Sequence, residues 1–334
     1  MDLSRLPIFK LPASVSIHVF KTFDRVSLVH LSVISEKTMI MVRSVGFKTK
    51  FSVNFDSKGV IFSENYLTLK LVVGNYHLLF QMKYDKNDIG SALPTHICII
   101  STFPNEVVKI ILNIDQSSNL FKAETWIKNL KWAFHVEEID VYLNTQNFSM
   151  RSICNIMRGV KINKLHATHN YQLFSQLVEM LHPPPNELNL FALMEWGDLP
   201  SYQRKVLIQN FRSVTLNTAV FLDDLLMTNV PRLIFYFAKL NNKELNFFIK
   251  FWIKTEFTKL EHLYLLNRIP MNEDVIFKGI DYVKQPDSRA IVFDHTGVPL
   301  KNIPAKGGYD ITRIDGTTAT IILANRHFRM IVWT

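Results

Sequence analysis

Four residues of this chain invite a metal or nucleophile reading: His166 and His169, three apart, with His182 downstream and Cys154 upstream. A zinc site needs three or four such ligands converging. The segment Leu165-His166-Ala167-Thr168-His169 reads as a strand end running into a loop, with no paired carboxylate or second cysteine at ligand spacing, so solvated loop histidines account for it. Cys154 as a nucleophile would need a base that the sequence does not place, and a buried core thiol is the plainer reading. Lys306-Gly307-Gly308-Tyr309-Asp310 looks like a phosphate cradle but leads into a strand, so no helix dipole would face an anion. A glycine pair that permits unusual backbone angles before a hairpin suffices. Asp223 and Asp224 are adjacent, so they point different ways rather than share a proton, and they suit the start of a helix at Leu225-Leu226-Met227. Glu195, Trp196 and Asp198 form a loop cluster with no assignable role. These residues assemble no catalytic constellation, metal site or cofactor cradle, and the expectation is a non-enzymatic protein without a cofactor.

The elements that would carry a binding function are more informative. The chain has 334 residues, 48% of them hydrophobic and 25 of them Phe, which supports a large core and excludes disorder. The length suits two domains, or one with an appendage. Eleven glycines are too few for a turn-dense propeller. Two cysteines, Cys98 and Cys154, cannot make a disulfide framework and fit a reducing compartment. No apolar run reaches the roughly 18 residues of a spanning helix, and the N-terminus lacks a signal-peptide pattern. The expectation is an intracellular protein, cytoplasmic or nuclear, without membrane attachment. The net charge of +9 is dispersed rather than massed, which argues against specific nucleic-acid binding; an acidic partner surface accounts for it equally well.

From Lys48 to Asp85, short β-branched and aromatic runs are divided by Asp56-Ser57-Lys58-Gly59 and Gly74-Asn75, predicting an antiparallel meander of three or four strands, with another β-like run at His96–Ser101. Asn119–Phe134 has helical spacing, with Phe121, Trp126, Ile127 and Leu130 as its apolar face. Strand-like cores then recur around Ile139, Leu165, Leu188, Val214, Leu233 and Leu263 at steps of 19 to 30 residues, near the period of about 20–29 residues of leucine-rich repeats. Helical segments lie between them: Leu173, Leu177 and Met180 share a side, and Asn241 or Asn242 caps a helix with Leu245, Phe248, Ile249 and Trp252 inward. The reading is a curved solenoid of strand–helix units. At the end, Tyr309–Ile314, Thr317–Leu323 and a strand carrying Phe328, Met330 and Val332 form a meander around the Asp315-Gly316 turn.

At the N-terminus, Pro12 suits the first turn of a helix carrying Val15, Val19 and Phe23 four apart; Asp24 can cap a second helix with Leu28 and Leu31, and Ser35 a third with Met39 and Val42. Three helices this small cannot bury that apolar surface among themselves. The run from Phe9 to Ser44 resembles an F-box at Leu11, Pro12, Val15, Val19, Phe23, Leu28, Leu31, Ser32, Ser35, Met39 and Val42. It departs from the family at Ile34, where Cys is common, and at Glu36 and Lys37, where two basic residues are usual. A second resemblance, to the type 2 F-box-associated domain of nematode F-box proteins, lies in NFRSVTLN, LDDLLMTNV, LNFFIKFWIK and KLEHLYLL between Asn210 and Leu266, and continues in GGYDITRIDGTTATI and FRMIVW.

The fold class expected is therefore mixed α/β (α+β): an F-box over 1–47, a β-rich connecting region over 48–118, and a leucine-rich-repeat-like F-box-associated domain over 119–334, closed by a meander from about 305. The resemblance implies the substrate receptor of a Skp1-cullin-F-box ubiquitin ligase. Leu11, Pro12, Val15, Val19, Phe23, Leu28 and Leu31 would contact a Skp1-type adaptor and, through it, a cullin. The solenoid would hold a target protein that the sequence does not name. The alternative class is a protein- or RNA-binding scaffold that works outside any ligase.

Overall fold

In a computed structural model of the chain, the residues described are 8–32, 35–46, 49–58, 64–73, 76–84, 96–102, 107–113, 123–144, 149–168, 184–190, 206–255, 259–291 and 305–333. The chain divides into two compact units, Met1–Pro185 and Asn186–Thr334.

The first unit opens with a 3-10 turn at Ile8–Lys10 and three helices, α1 (Ala13–Thr22), α2 (Arg25–Ser32) and α3 (Glu36–Val45). Their ends follow from capping chemistry. The Asp24 carboxylate accepts from the Ser27 amide at 2.9 Å and starts α2. Ser35 and Thr38 exchange side-chain-to-backbone bonds at the head of α3. Gly46, at φ 77°, ends α3 in the left-handed conformation that glycine tolerates. Both α1 and α2 pack on α3.

The sheet of this unit comprises β1 (Lys50–Lys58), β2 (Glu64–Val73), β3 (Tyr76–Tyr84), β4 (His96–Thr102), β5 (Val107–Asn113), β6 (Glu138–Leu143) and β7 (Lys161–Ala167), in the order β7-β6-β1-β2-β3-β4-β5. Strands β1 to β5 are antiparallel neighbours, whereas β6 runs parallel to both β1 and β7. Alternation places one apolar face in register: Phe51 opposite Leu71, Val53 opposite Leu69, Phe55 opposite Leu67, then Leu67 opposite Met82 and Leu69 opposite Phe80, all buried. Helix α4 (Ala123–Ala133) buries Trp126, Ile127 and Leu130, with the Trp126 ring 5.4 Å from that of Phe80. Phe121, expected on the same face, lies outside the described residues. A short α5 (Met150–Ile156), capped by Ser149, joins β6 to β7.

The second unit has β8 (Glu187–Leu190), β9 (Ser213–Val220), β10 (Arg232–Ala238) and β11 (His262–Asn267) as parallel neighbours. Helix α6 (Leu222–Leu226) follows β9, α7 (Asn242–Lys254) follows β10 and α8 (Glu273–Ile276) follows β11. Then come β12 (Val283–Ile291), β13 (Ala305–Thr312), β14 (Thr318–Ala324) and β15 (His327–Trp333), all antiparallel, giving the order β12-β13-β14-β15-β11-β10-β9-β8. Leu233 pairs with Val214 and Leu263, Phe235 with Leu216 and Leu265, and Leu263 with Met330. Of these buried residues, Leu233 and Leu263 line a common groove with Phe248 and Trp252 of α7, whose inward side also buries Leu245 and Ile249.

The expected fold class needs correction. Strands stand at all six predicted repeat cores, but they do not stack into a solenoid, and the architecture is mostly β: mixed sheets dressed with short helices rather than a separate F-box followed by a repeat array. In a solenoid each unit bonds only to its sequence neighbours. Here β15 crosses back to pair with β11, at Leu263 opposite Met330, and β6 pairs with β1 rather than β5. The helices between strands are also too unequal for a repeat, from α5 at 7 residues to α6 at 5 and α7 at 13.

Candidate functional site

The residues expected to meet an adaptor divide by exposure. Val15, on α1, is 44% exposed; Pro12 is exposed; Leu11, Val19, Phe23 and Leu31 are half-buried. Val15 and Val19 sit one helical turn apart on the same side of α1. Leu28 differs, because at 2% exposure it belongs to the packing of the helices. Ile40 of α3 is exposed as well. The inner side of α1 is held by Phe20, edge-on to Phe23 at 5.8 Å, and by Ser16, whose hydroxyl donates to the Ile8 carbonyl at 2.8 Å.

The residues that looked chemical do other work. Cys154 is buried, which pushes its thiol up and away from the reactive thiolate. The His166 ring stacks on Tyr142 at 4.5 Å and 6°. His169, His182, Glu195, Trp196 and Asp198 lie outside the described residues, and among the described residues no three His, Cys, Asp or Glu side chains are grouped to hold a metal. Asp224 accepts from the Phe221 amide at 3.0 Å, so it serves the first turn of α6. Gly307 and Gly308 adopt φ 64° and 107°, and a Cβ on Gly308 would lie 2.7 Å from the Thr320 methyl and 2.9 Å from the Ile321 carbonyl. The pair is a close-approach device within β13.

A basic depression of about 440 Å³ in the first unit is lined by Arg43, Lys128, Lys131, Trp132, His135 and Arg158, among others. Arg43 donates to the Trp132 carbonyl and lies 4.4 Å over its ring, and the His135 Nε2–H donates to the Arg43 carbonyl at 3.0 Å. Lys131 donates to the Glu137 carbonyl at 2.9 Å, and burial lowers its ammonium more than Glu138 raises it. The last turns of α3 and α4 and the turn that follows α5 line this depression. Each helix end carries roughly half a negative charge, Glu137 adds another, and Glu124 pairs with Lys128 at 2.6 Å. The helix ends and these two carboxylates therefore stand among the cations.

Sequence reasoning missed a polar network on the second unit's sheet. Thr320 donates to Asp310 at 2.6 Å and accepts from Arg289 at 2.7 Å and from the Trp333 indole at 2.9 Å, which saturates its hydroxyl. Arg289 closes on Asp310 at 2.6 Å. Burial pushes Asp310 up, but the bonds from Arg289 and Thr320 outweigh it and hold the carboxyl below its ordinary range. Alongside, the Tyr264 hydroxyl meets His327 Nδ1 at 2.7 Å, and Arg329 donates to His262 Nε2 at 3.1 Å. Strand alternation could have placed Asp310 opposite Thr320. Arg289 was hidden because β12 has no strand-like pattern.

No helix among the described residues is long and apolar enough to cross a membrane. The stretch from 202 to 265, which holds β9, α6, β10, α7 and most of β11, matches the F-box associated family. In that stretch the chain is similar to F-box-associated domains. Over 339 aligned residues, 98% of this chain and 97% of the relative, it is 24% identical to the F-box associated domain-containing protein sdz-33 of Caenorhabditis elegans. No solved structure matches it.

Proposed function

We propose that the chain is a non-catalytic substrate receptor of a Skp1-cullin-F-box ubiquitin ligase, in which the N-terminal helices dock on the Skp1-type adaptor and the second unit holds a target protein. The observation that carries the reading is the match of residues 202–265 to the F-box associated family. Exposed Val15 and half-buried Leu11, Val19, Phe23 and Leu31 agree with it, since they leave apolar surface for another polypeptide. The role needs no active site in this chain: tethering a target beside a charged enzyme raises its effective concentration, and the transfer chemistry stays on other subunits.

The test is co-purification with recombinant Skp1. Val15→Asp with Val19→Asp places two carboxylates on the docking side of α1, and loss of Skp1 by a chain that still unfolds cooperatively is the expected result. Leu28 is unsuitable for this purpose, because an aspartate at a buried site reports folding. Undiminished Skp1 capture by the double variant would remove α1 from the interface.

A further inference from the structure

Helix α7 has a second face. Its inner side, Leu245, Phe248, Ile249 and Trp252, is buried, and its outer side carries Phe247 at 54% exposure and Phe251 at 38%. At 100° per residue, Lys243, Phe247, Phe251 and Lys254 fall within about 80° of one another, with Lys250 at the margin. Two phenylalanines a turn apart on a solvent face are unusual, because a surface helix normally turns charged or polar residues outward. The helix is rigidly set: Asn241 accepts from the Lys243 and Glu244 amides at 2.9 and 3.0 Å, and Glu244 reaches back to the Asn241 amide at 2.7 Å. That last bond turns the helix's one acidic side chain toward its own N-terminus, so the outer face is apolar and positive.

The apolar surface continues onto α6. Leu226 and Phe251 share a shallow groove with Leu260, Lys259 stands at its edge, and Met227 beyond α6 is 42% exposed.

We propose that the outer face of α7 docks an acidic segment of a partner protein, one presenting aliphatic side chains at helical spacing toward Phe247 and Phe251 and carboxylates toward Lys243, Lys250 and Lys254. The inference rests on the target-receptor reading above and names the class of target that reading leaves open. Aromatic anchors ringed by charge are the usual composition of an interface centre with a polar rim. The positive rim selects an acidic partner and suppresses basic ones. A nucleic-acid strand fits less well, because the groove beside Phe251 is walled by Leu225, Leu226 and Leu260 and offers aliphatic contact rather than a stacking platform.

The experiment uses the full chain and a fluorescein-labelled 20-residue peptide with Leu at i, i+4 and i+7 and Glu at most other positions, followed by fluorescence anisotropy. Binding should weaken about tenfold or more with Phe247→Ser plus Phe251→Ser, and several-fold with Lys243→Glu plus Lys254→Glu. It should also fall as salt is raised. Phe247 is 54% exposed and Lys243 and Lys254 stand in solvent, so thermal melts of Phe247→Ser alone and of the lysine variant should overlay the parent, whereas Phe251→Ser removes groove packing and should lower the midpoint; all should still capture Skp1 if the parent does. Loss of the peptide with Skp1 retained therefore separates this face from adaptor docking. Equal peptide affinity in parent and Phe variant, or no binding at millimolar peptide, overturns the proposal. So does tighter binding of a single-stranded RNA through the same residues, or a sedimentation result in which the Phe variant dissolves a self-association.

Discussion

Helices α1 and α7 carry the same signal in sequence, apolar residues at helical spacing, and meet different fates. In α7, four inward residues are buried, led by Trp252 at 1% exposure. In α1, Phe20 is the buried apolar residue, while Val15 stands in solvent and Ile17 and Val19 are half covered. The cause is connectivity. Helix α7 joins two adjacent parallel strands, β10 and β11, and such a crossover must lie across the sheet it connects. Helix α1 joins no strands and packs on α3 and the preceding 3-10 turn. Periodicity states that a helix has an apolar stripe; topology decides whether the chain itself covers it.

The strongest way to break this contrast is at Trp252. Trp252→Ala should lower unfolding free energy by about 3–5 kcal/mol, measured by denaturant titration, as expected for removing a fully buried aromatic. Trp252→Phe should cost far less, about 1–2 kcal/mol, because the Trp252 indole N–H finds no hydrogen-bond partner among the described residues and its removal also relieves an unsatisfied donor. A small loss in the alanine variant would mean that α7 is not seated on its sheet. A phenylalanine variant as damaged as the alanine one would mean that the indole nitrogen is satisfied after all.

The caps provide a smaller and sharper test. Asn241 satisfies two amides at the head of α7, so Asn241→Ala should cost about 1 kcal/mol. Pro12 at the head of α1 offers no side-chain bond, so Pro12→Ala should leave the unfolding midpoint nearly unchanged. Equal losses at the two positions would show that α1 is as tightly held as α7.

What could be read from sequence follows the same divide between local and non-local physics. The Asn241 cap, the inward face of α7 and the strand cores from Ile139 to Leu263 depend on a few neighbouring residues, and the structure has them. The pairing of β15 with β11 and of β6 with β1 joins residues far apart in the chain, and no local pattern encodes it. That pairing separates mixed sheets from the solenoid that periodicity suggested. Strand β12 escaped notice because Pro286 and its charged neighbours break alternation; it sits at the sheet edge with a register shift between Gln285 and Ala290, where proline is tolerated. The outer stripe of α7 was present in the spacing of Lys243, Phe247 and Phe251, but the same helix has a better inward face, and exposure separates the two.

The smallest effect is expected at Val15, and it bears most directly on the contrast. A side chain 44% exposed on α1 loses little when truncated, so Val15→Ser should change unfolding free energy by no more than about 0.5 kcal/mol. The comparable truncation at Leu245, buried on α7, removes both transfer energy and packing and should cost several-fold more, about 2–5 kcal/mol for Leu245→Ala. Measured in the isolated chain, that disparity separates a stripe left open from one already filled. A loss above about 1.5 kcal/mol at Val15 would place it among core positions, and the apolar side of α1 would then be closed by the chain's own residues, leaving nothing for a second polypeptide to cover. A near-zero loss in the free chain, followed by a large loss when the same variant is measured with a docked partner, would locate the energy of Val15 in association rather than in folding.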